Sequence, residues 1–185
     1  MRVLSVLLIL VATPAMANEA CHDLWFTRNL IMDRAGYCFG STLGKAVFDN
    51  SDCTGKSVTL GENWQQQVSR LRARETQLEC KVDTSRPFLD LPDADIRRRL
   101  NTLPVRDEFE SACIGWLKSD LSLHASTHAA STVVGVVSPG DNVSFRHDAV
   151  GEWNYVTVTG KDWGYKSAGW TDSAFAIGDC AQFAG

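Results

Sequence analysis

Four sets of side chains in this 185-residue sequence have the types and spacing to do chemistry: histidines, cysteines, arginines and a late run of aromatics. The histidines, His22, His124, His128 and His147, stand in polar or loop-like contexts. No Gly-x-Ser-x-Gly elbow and no His-Glu-x-x-His helix accompanies them, so neither serine nor zinc hydrolysis has its constellation. His124 and His128 share one loop, yet a zinc site needs three or four ligands. Asp49-Asn50-Ser51-Asp52 begins like a calcium loop, but Thr54 replaces the required glycine and Leu60 the closing glutamate, which leaves a helix-exit turn. The expectation is a chain without catalytic residues, metal or cofactor.

The six cysteines are even in number, and none lies in the close pairs that zinc sites use; the nearest, Cys38 and Cys53, are well separated. In an exported chain they read as three disulfides. Cys113 and Cys180 bracket the C-terminal half, whose first and last strands would be neighbours in a small closed barrel, so those two are paired. Cys21 and Cys38 flank a helix of about a dozen residues, ~18 Å long, too far for bonded Cα atoms within ~7 Å. Cys38–Cys53 and Cys21–Cys80 are therefore preferred.

Arg97, Arg98 and Arg99 sit together, with Arg70, Arg72, Arg74 and Arg106 nearby and acids interleaved. A solvated helix face with local ion pairs accounts for the pattern, and an anionic partner is the functional alternative. The net charge of -4 and pI near 5.5 exclude a broad basic field for nucleic acid. Trp153, Tyr155, Trp163, Tyr165 and Trp170 crowd the C-terminal half, and aromatic rings cover the flat faces of sugars and peptide stems. Trp163 and Tyr165, on the hairpin from Gly160 to Ala168, are the first candidates for a ligand surface, followed by Tyr155 and Trp153.

The elements that must position these groups follow from periodicity. Met1-Arg2, the apolar run Val3–Ala12 and Ala15-Met16-Ala17 read as a secretory signal cleaved after Ala17, too short to span a membrane. Its removal takes away Arg2 and no acid, leaving a more acidic chain. Leu24–Ala35 is a helix stopped by Gly36, Ser41–Phe48 a second, and Asn63–Leu78 a third with an apolar stripe of Trp64, Val68, Leu71 and Leu78. Residues 83–111, punctuated by Pro87, Pro92 and Pro104, read as a connector with one short helix that Asp93 could cap. From Cys113 the period becomes alternating, with about five short strands as in a small barrel or sandwich. The layout is thus α+β: a signal (1–17), a disulfide-stapled helical domain (18–82), the connector, and a β domain (112–185).

The β half resembles the bacterial SH3-like domain over residues 114–178. The resemblance runs in order through Leu121-Ser-Leu-His-Ala-Ser, Val133-Val-Gly-Val-Val137, Pro139-Gly-Asp-Asn-Val143, Trp153-Asn-Tyr-Val156 and Gly169-Trp170-Thr171. It departs from the pattern at His124, where an arginine is usual, in lacking the first loop's glycine-proline, and in the longer hairpin bearing Trp163 and Tyr165. The helical half resembles the YARHG module of secreted bacterial proteins over residues 21–80, through Arg28-Asn-Leu-Ile31 and Asp33-Arg-Ala-Gly-Tyr-Cys-Phe39, with Ala35 in place of the usual histidine. The whole resembles small exported Gram-negative proteins of unknown function. The resemblances imply an SH3-like β-barrel and a periplasmic or secreted, non-enzymatic binding protein whose SH3-like half recognises peptidoglycan. The alternative is an inhibitor or envelope-complex subunit that meets a protein through Arg97, Arg98 and Arg99.

Overall fold

The computed structural model describes residues 14–185; most of the segment read as a signal, residues 1–13, lies outside them. Helix α1 (Pro14–Arg34) ends at Gly36, whose φ of +84° lets Tyr37 N–H reach Met32 O at 3.0 Å and Gly36 N–H reach Asp33 O at 2.8 Å. That is the glycine-terminated helix stop expected there. Residues 21–27 are all buried, so α1 has no wet face along this stretch. Helix α2 (Thr42–Val47) is capped by the Ser41 hydroxyl, which accepts from Gly44 N–H at 3.0 Å. Helix α3 (Glu62–Gln77) packs Val68 and Leu71 inward and is tied to α1 by Arg28 donating to Glu75 at 2.9 Å. The last helix is a single turn, α4 (Ala94–Arg97). Asp93 precedes it but makes no side-chain cap; its carboxylate is engaged elsewhere.

Seven strands follow: β1 (Arg106–Trp116), β2 (Leu121–His124), β3 (Val133–Val137), β4 (Asn142–His147), β5 (Asn154–Thr159), β6 (Tyr165–Thr171) and β7 (Cys180–Ala184). The sheet is antiparallel in the order β3-β2-β6-β5-β4-β1-β7. It is open, which corrects the closed SH3-like barrel. The first and last strands are neighbours and carry Cys113–Cys180, but β7 lies outside β1 as an edge, and β3 is the opposite edge. Its two faces are both covered. Val143, Val156, Val158, Leu123 and Val137 pack with Trp116 on one side, while Tyr155, Ala168 and Trp170 join the helical residues Leu24, Phe26, Leu71 and Leu100 on the other. The face away from the helices is buried by the strands themselves with Phe175, so the sheet curls over that core although its edge strands β3 and β7 do not pair.

The connector is shorter than expected, because β1 starts at Arg106. Its register shifts between Arg106 and Ser111, a bulged stretch that turns Phe109 out to solvent. The disulfides are Cys21–Cys80, Cys38–Cys53 and Cys113–Cys180, with Cα separations of 5.3, 5.0 and 5.4 Å. None of the described helices is long and apolar enough to cross a membrane.

Candidate functional site

Where α1 and α4 cross the face of β4, β5 and β6, the two layers do not meet completely. Strand alternation points Ser144 and Arg146 of β4 and Thr157 and Thr159 of β5 toward the helices, since Ser144 pairs with Thr157 while Val143 and Val158 face the other side. Glu19 and Asp23 come down from α1, Asp93 and Arg97 from the α4 turn, and the hairpin between β5 and β6 adds Trp163 and Tyr165. Together they line a cleft of about 200 Å³. That is smaller than the ~300–1,000 Å³ of pockets for drug-sized ligands.

The wall on the helical side is a buried ionic network centred on Arg97, whose side chain is 1% exposed. Its Nη1 donates to Asp23 Oδ1 at 2.5 Å and to Thr27 Oγ1 at 3.0 Å, Nη2 to Asp23 Oδ2 at 2.7 Å, and Nε to Asp93 Oδ2 at 2.9 Å. His147 Nε2 lies 2.8 Å from Asp23 Oδ2, and the Tyr155 hydroxyl donates to Asp93 Oδ2 at 2.9 Å. The His147 and Tyr155 rings meet edge to face at 4.9 Å.

The electrostatics follow from that packing. Burial opposes the Asp23 charge, but Arg97 and His147 overcome it and hold its carboxyl well below the usual carboxylate range. Burial likewise opposes the charge on Arg97, and Asp23 and Asp93 keep it protonated beyond its ordinary range. For His147 burial wins: its pKa is lowered despite Asp23, so the ring is neutral at pH 7. Burial and Asp93 push the Tyr155 phenol well up.

The aromatics named from the sequence divide into two groups. Tyr155 is 1% exposed and belongs to the core, so the structure withdraws it from any surface. Trp153 is half-buried against the helical core and stacks edge-on with His124 at 5.8 Å. Trp163 is 63% exposed and Tyr165 36%, both at the cleft. Trp163 sits at a φ of +65°, a conformation that bulky residues rarely adopt. Its N–H donates to Gly160 O at 3.0 Å, and Gly160 N–H donates to Gly164 O at 2.9 Å, closing a tight turn that holds the ring out.

The arginine face needs correction. Arg97 is not on it, because a carboxylate from α1 and one from its own turn draw it inside. Arg98 and Arg99 are exposed, and Arg98 is engaged with Asp95 at 2.6 Å and Val47 O at 2.7 Å. Asp23, Asp93, His147 and Thr159 were not singled out from the sequence as site residues. Only the i,i+4 spacing of Asp93 and Arg97 carried a readable signal. Among the described residues no three His, Cys, Asp or Glu side chains gather to hold a metal ion.

Two family models match the chain. Residues 79–185 match a domain of unknown function (DUF4453), and residues 3–76 match the YARHG domain. The junction falls just before the segment that carries α4, so the cleft is lined from both matched regions. The C-terminal match brings no SH3-like assignment. No curated protein and no solved structure matches the chain.

Proposed function

The chain belongs to the DUF4453 family and carries a YARHG domain, and from that premise we propose that it is an exported, non-catalytic binding module of the cell envelope. Residues 1–17 direct it to the periplasm or the exterior, and the ligand is peptidoglycan, gripped at the cleft by Trp163 and Tyr165. Three disulfides suit the oxidising compartment this requires, and YARHG domains are typical of exported proteins. The sequence likeness of residues 114–178 to bacterial SH3-like domains supports the same ligand.

One observation carries the reading: Trp163 is held at a positive φ, exposed, over a cleft whose walls are already fixed by buried ion pairs. A lone exposed tryptophan needs no explanation. A rigid turn that presents one beside a built polar cleft lowers the entropy lost on binding.

The test is co-sedimentation of the oxidised chain from residue 18 onward with purified peptidoglycan. Saturable pelleting that survives ~0.5 M salt, where the Debye length is only a few ångströms, and that falls at least tenfold in Trp163→Ala supports the reading. Absence of pelleting, or pelleting indifferent to Trp163, overturns it.

A further inference from the structure

Among the described residues, four buried side-chain atoms lack a hydrogen-bond partner, and three of them belong to residues that line this one cleft: Asp93 Oδ1, His147 Nδ1 and Thr159 Oγ1. Buried polar groups are almost always paired, so their convergence is informative. What each atom offers follows from its neighbours. Asp93 Oδ2 already accepts from Arg97 Nε and the Tyr155 hydroxyl, which leaves Oδ1 as a free acceptor. His147 Nε2 lies between the Asp23 carboxylate, 2.8 Å away, which can only accept, and Arg97 Nη2, 3.1 Å away, which can only donate, so Nδ1 gives or takes a hydrogen bond according to the tautomer. Thr159 contributes a hydroxyl that can give or take.

The three arginines of the walls are already paired. Arg97 is held by Asp23 and Asp93, Arg106 by Glu110, and Arg146 by Glu19. No lining arginine is left over for an anion. The vacant atoms, one acceptor and two that give or take, suit hydroxyls, which do both, better than an ammonium, which can only give. The cleft's size admits one ring, and the aromatic mouth asks for a ligand with an apolar face.

We propose that the cleft seats one neutral, hydroxyl-rich sugar ring, its hydroxyls donating to Asp93 Oδ1 and bonding His147 Nδ1 and Thr159, its face against Trp163. This rests on the binding-module reading above and narrows it to the glycan rather than the stem peptide. In this structure the three atoms are closed off from solvent, so the ring reaches them as the mouth opens.

The experiment is a nitrogen-15 titration of the histidine-labelled, oxidised chain. N-acetylglucosamine, free lysine and inorganic phosphate are added separately. The expected result is a saturable shift of His147 Nδ1 with the sugar alone. Thr159→Val, which removes a hydroxyl with no partner and keeps the side-chain shape, is expected to weaken sugar binding about three- to tenfold, the worth of one neutral hydrogen bond, with an unchanged melting temperature. A His147 response to phosphate or lysine but not to sugar, no response to any of them, or equal affinity in Thr159→Val overturns the sugar seat. If peptidoglycan still pellets through Trp163 in those cases, the binding-module reading survives without it. If pelleting is also lost, both fall.

Discussion

Replacing Arg97 by methionine keeps most of the side-chain stem and deletes every charged contact that joins α1 to α4. The guanidinium donates twice to Asp23, once to Asp93 and once to Thr27, all at 3.0 Å or less and all away from water. Removing one partner of a buried pair costs ~3–5 kcal/mol, because the other charge is left unpaired. Domains of this kind have only ~5–15 kcal/mol in total. With a urea dependence of ~1–3 kcal/mol per molar, the unfolding midpoint should fall by roughly 2 M at pH 7. The pH dependence sharpens the test. In the parent protein Asp23 titrates below its ordinary range, so its contribution is present above about pH 4 and is lost as pH falls further. His147, lowered by burial, contributes above about pH 6.5 and is lost as pH falls through its folded value. Without Arg97, burial raises Asp23 and the folded variant takes up a proton, so the gap between the two proteins narrows from pH 7 to pH 4. Urea melts with the disulfides intact measure both quantities, and Arg99→Met, on the exposed side, should stay within ~0.5 kcal/mol. A loss under ~1 kcal/mol at pH 7, or one that does not change with pH, would refute the assignment of Arg97 as the keystone between the layers.

Two further substitutions probe the sheet. Gly169 has a φ of +156°, and an added Cβ would lie 2.8 Å from Leu123 Cβ and 3.0 Å from Val134 Cγ2, so Gly169→Ala should lower stability by ~1–3 kcal/mol in thermal melts; a change within ~0.5 kcal/mol would show that β2 and β3 yield freely there. The double change Cys113→Ala with Cys180→Ala should cost ~2–4 kcal/mol, and amide exchange should quicken first in β7, the edge strand that this bridge fastens to β1.

The sequence made the local elements readable and left the encounters between them hidden. Helices α2 and α3 lie within a residue or two of their expected spans, because apolar period and turn residues act locally. The helix length excluded Cys21–Cys38, and the placing of Cys113 and Cys180 at the two ends of the β half paired those two, so the preferred bridges are the ones present. Strand β1 was lost in the connector since its first half, Asp107-Glu108-Phe109-Glu110, is bulged and shows no alternating burial. Helix α1 gave no clear stripe because it is covered on nearly all sides between α3 and the sheet. Arg97 looked like its two neighbours. What distinguishes it is Asp23, 74 residues away in sequence, and charge burial is legible only once that partner is in place. Trp163 and Tyr165 lie at the cleft on an unusual hairpin, a local feature, whereas the wall they face is assembled from five separate elements, α1, α4, β1, β4 and β5.

The bridge Cys21–Cys80 encloses Cys38–Cys53, and this nesting sets an order on oxidation. A chain threaded into an oxidising space from its N-terminus brings Cys38 within reach of Cys21 long before Cys80 arrives. Joining cysteines as they appear would produce Cys21–Cys38 and strand the rest. Once α1 is wound, the ~20 Å of helix from Cys21 to Arg34 keeps those two thiols apart, while the turn after Gly36 brings Cys38 beside Gly55, where its N–H meets Gly55 O at 2.8 Å. If α1 winds before the thiols oxidise, it holds Cys21 in reserve for Cys80, and a change that delayed the helix would shift the burden onto a disulfide isomerase.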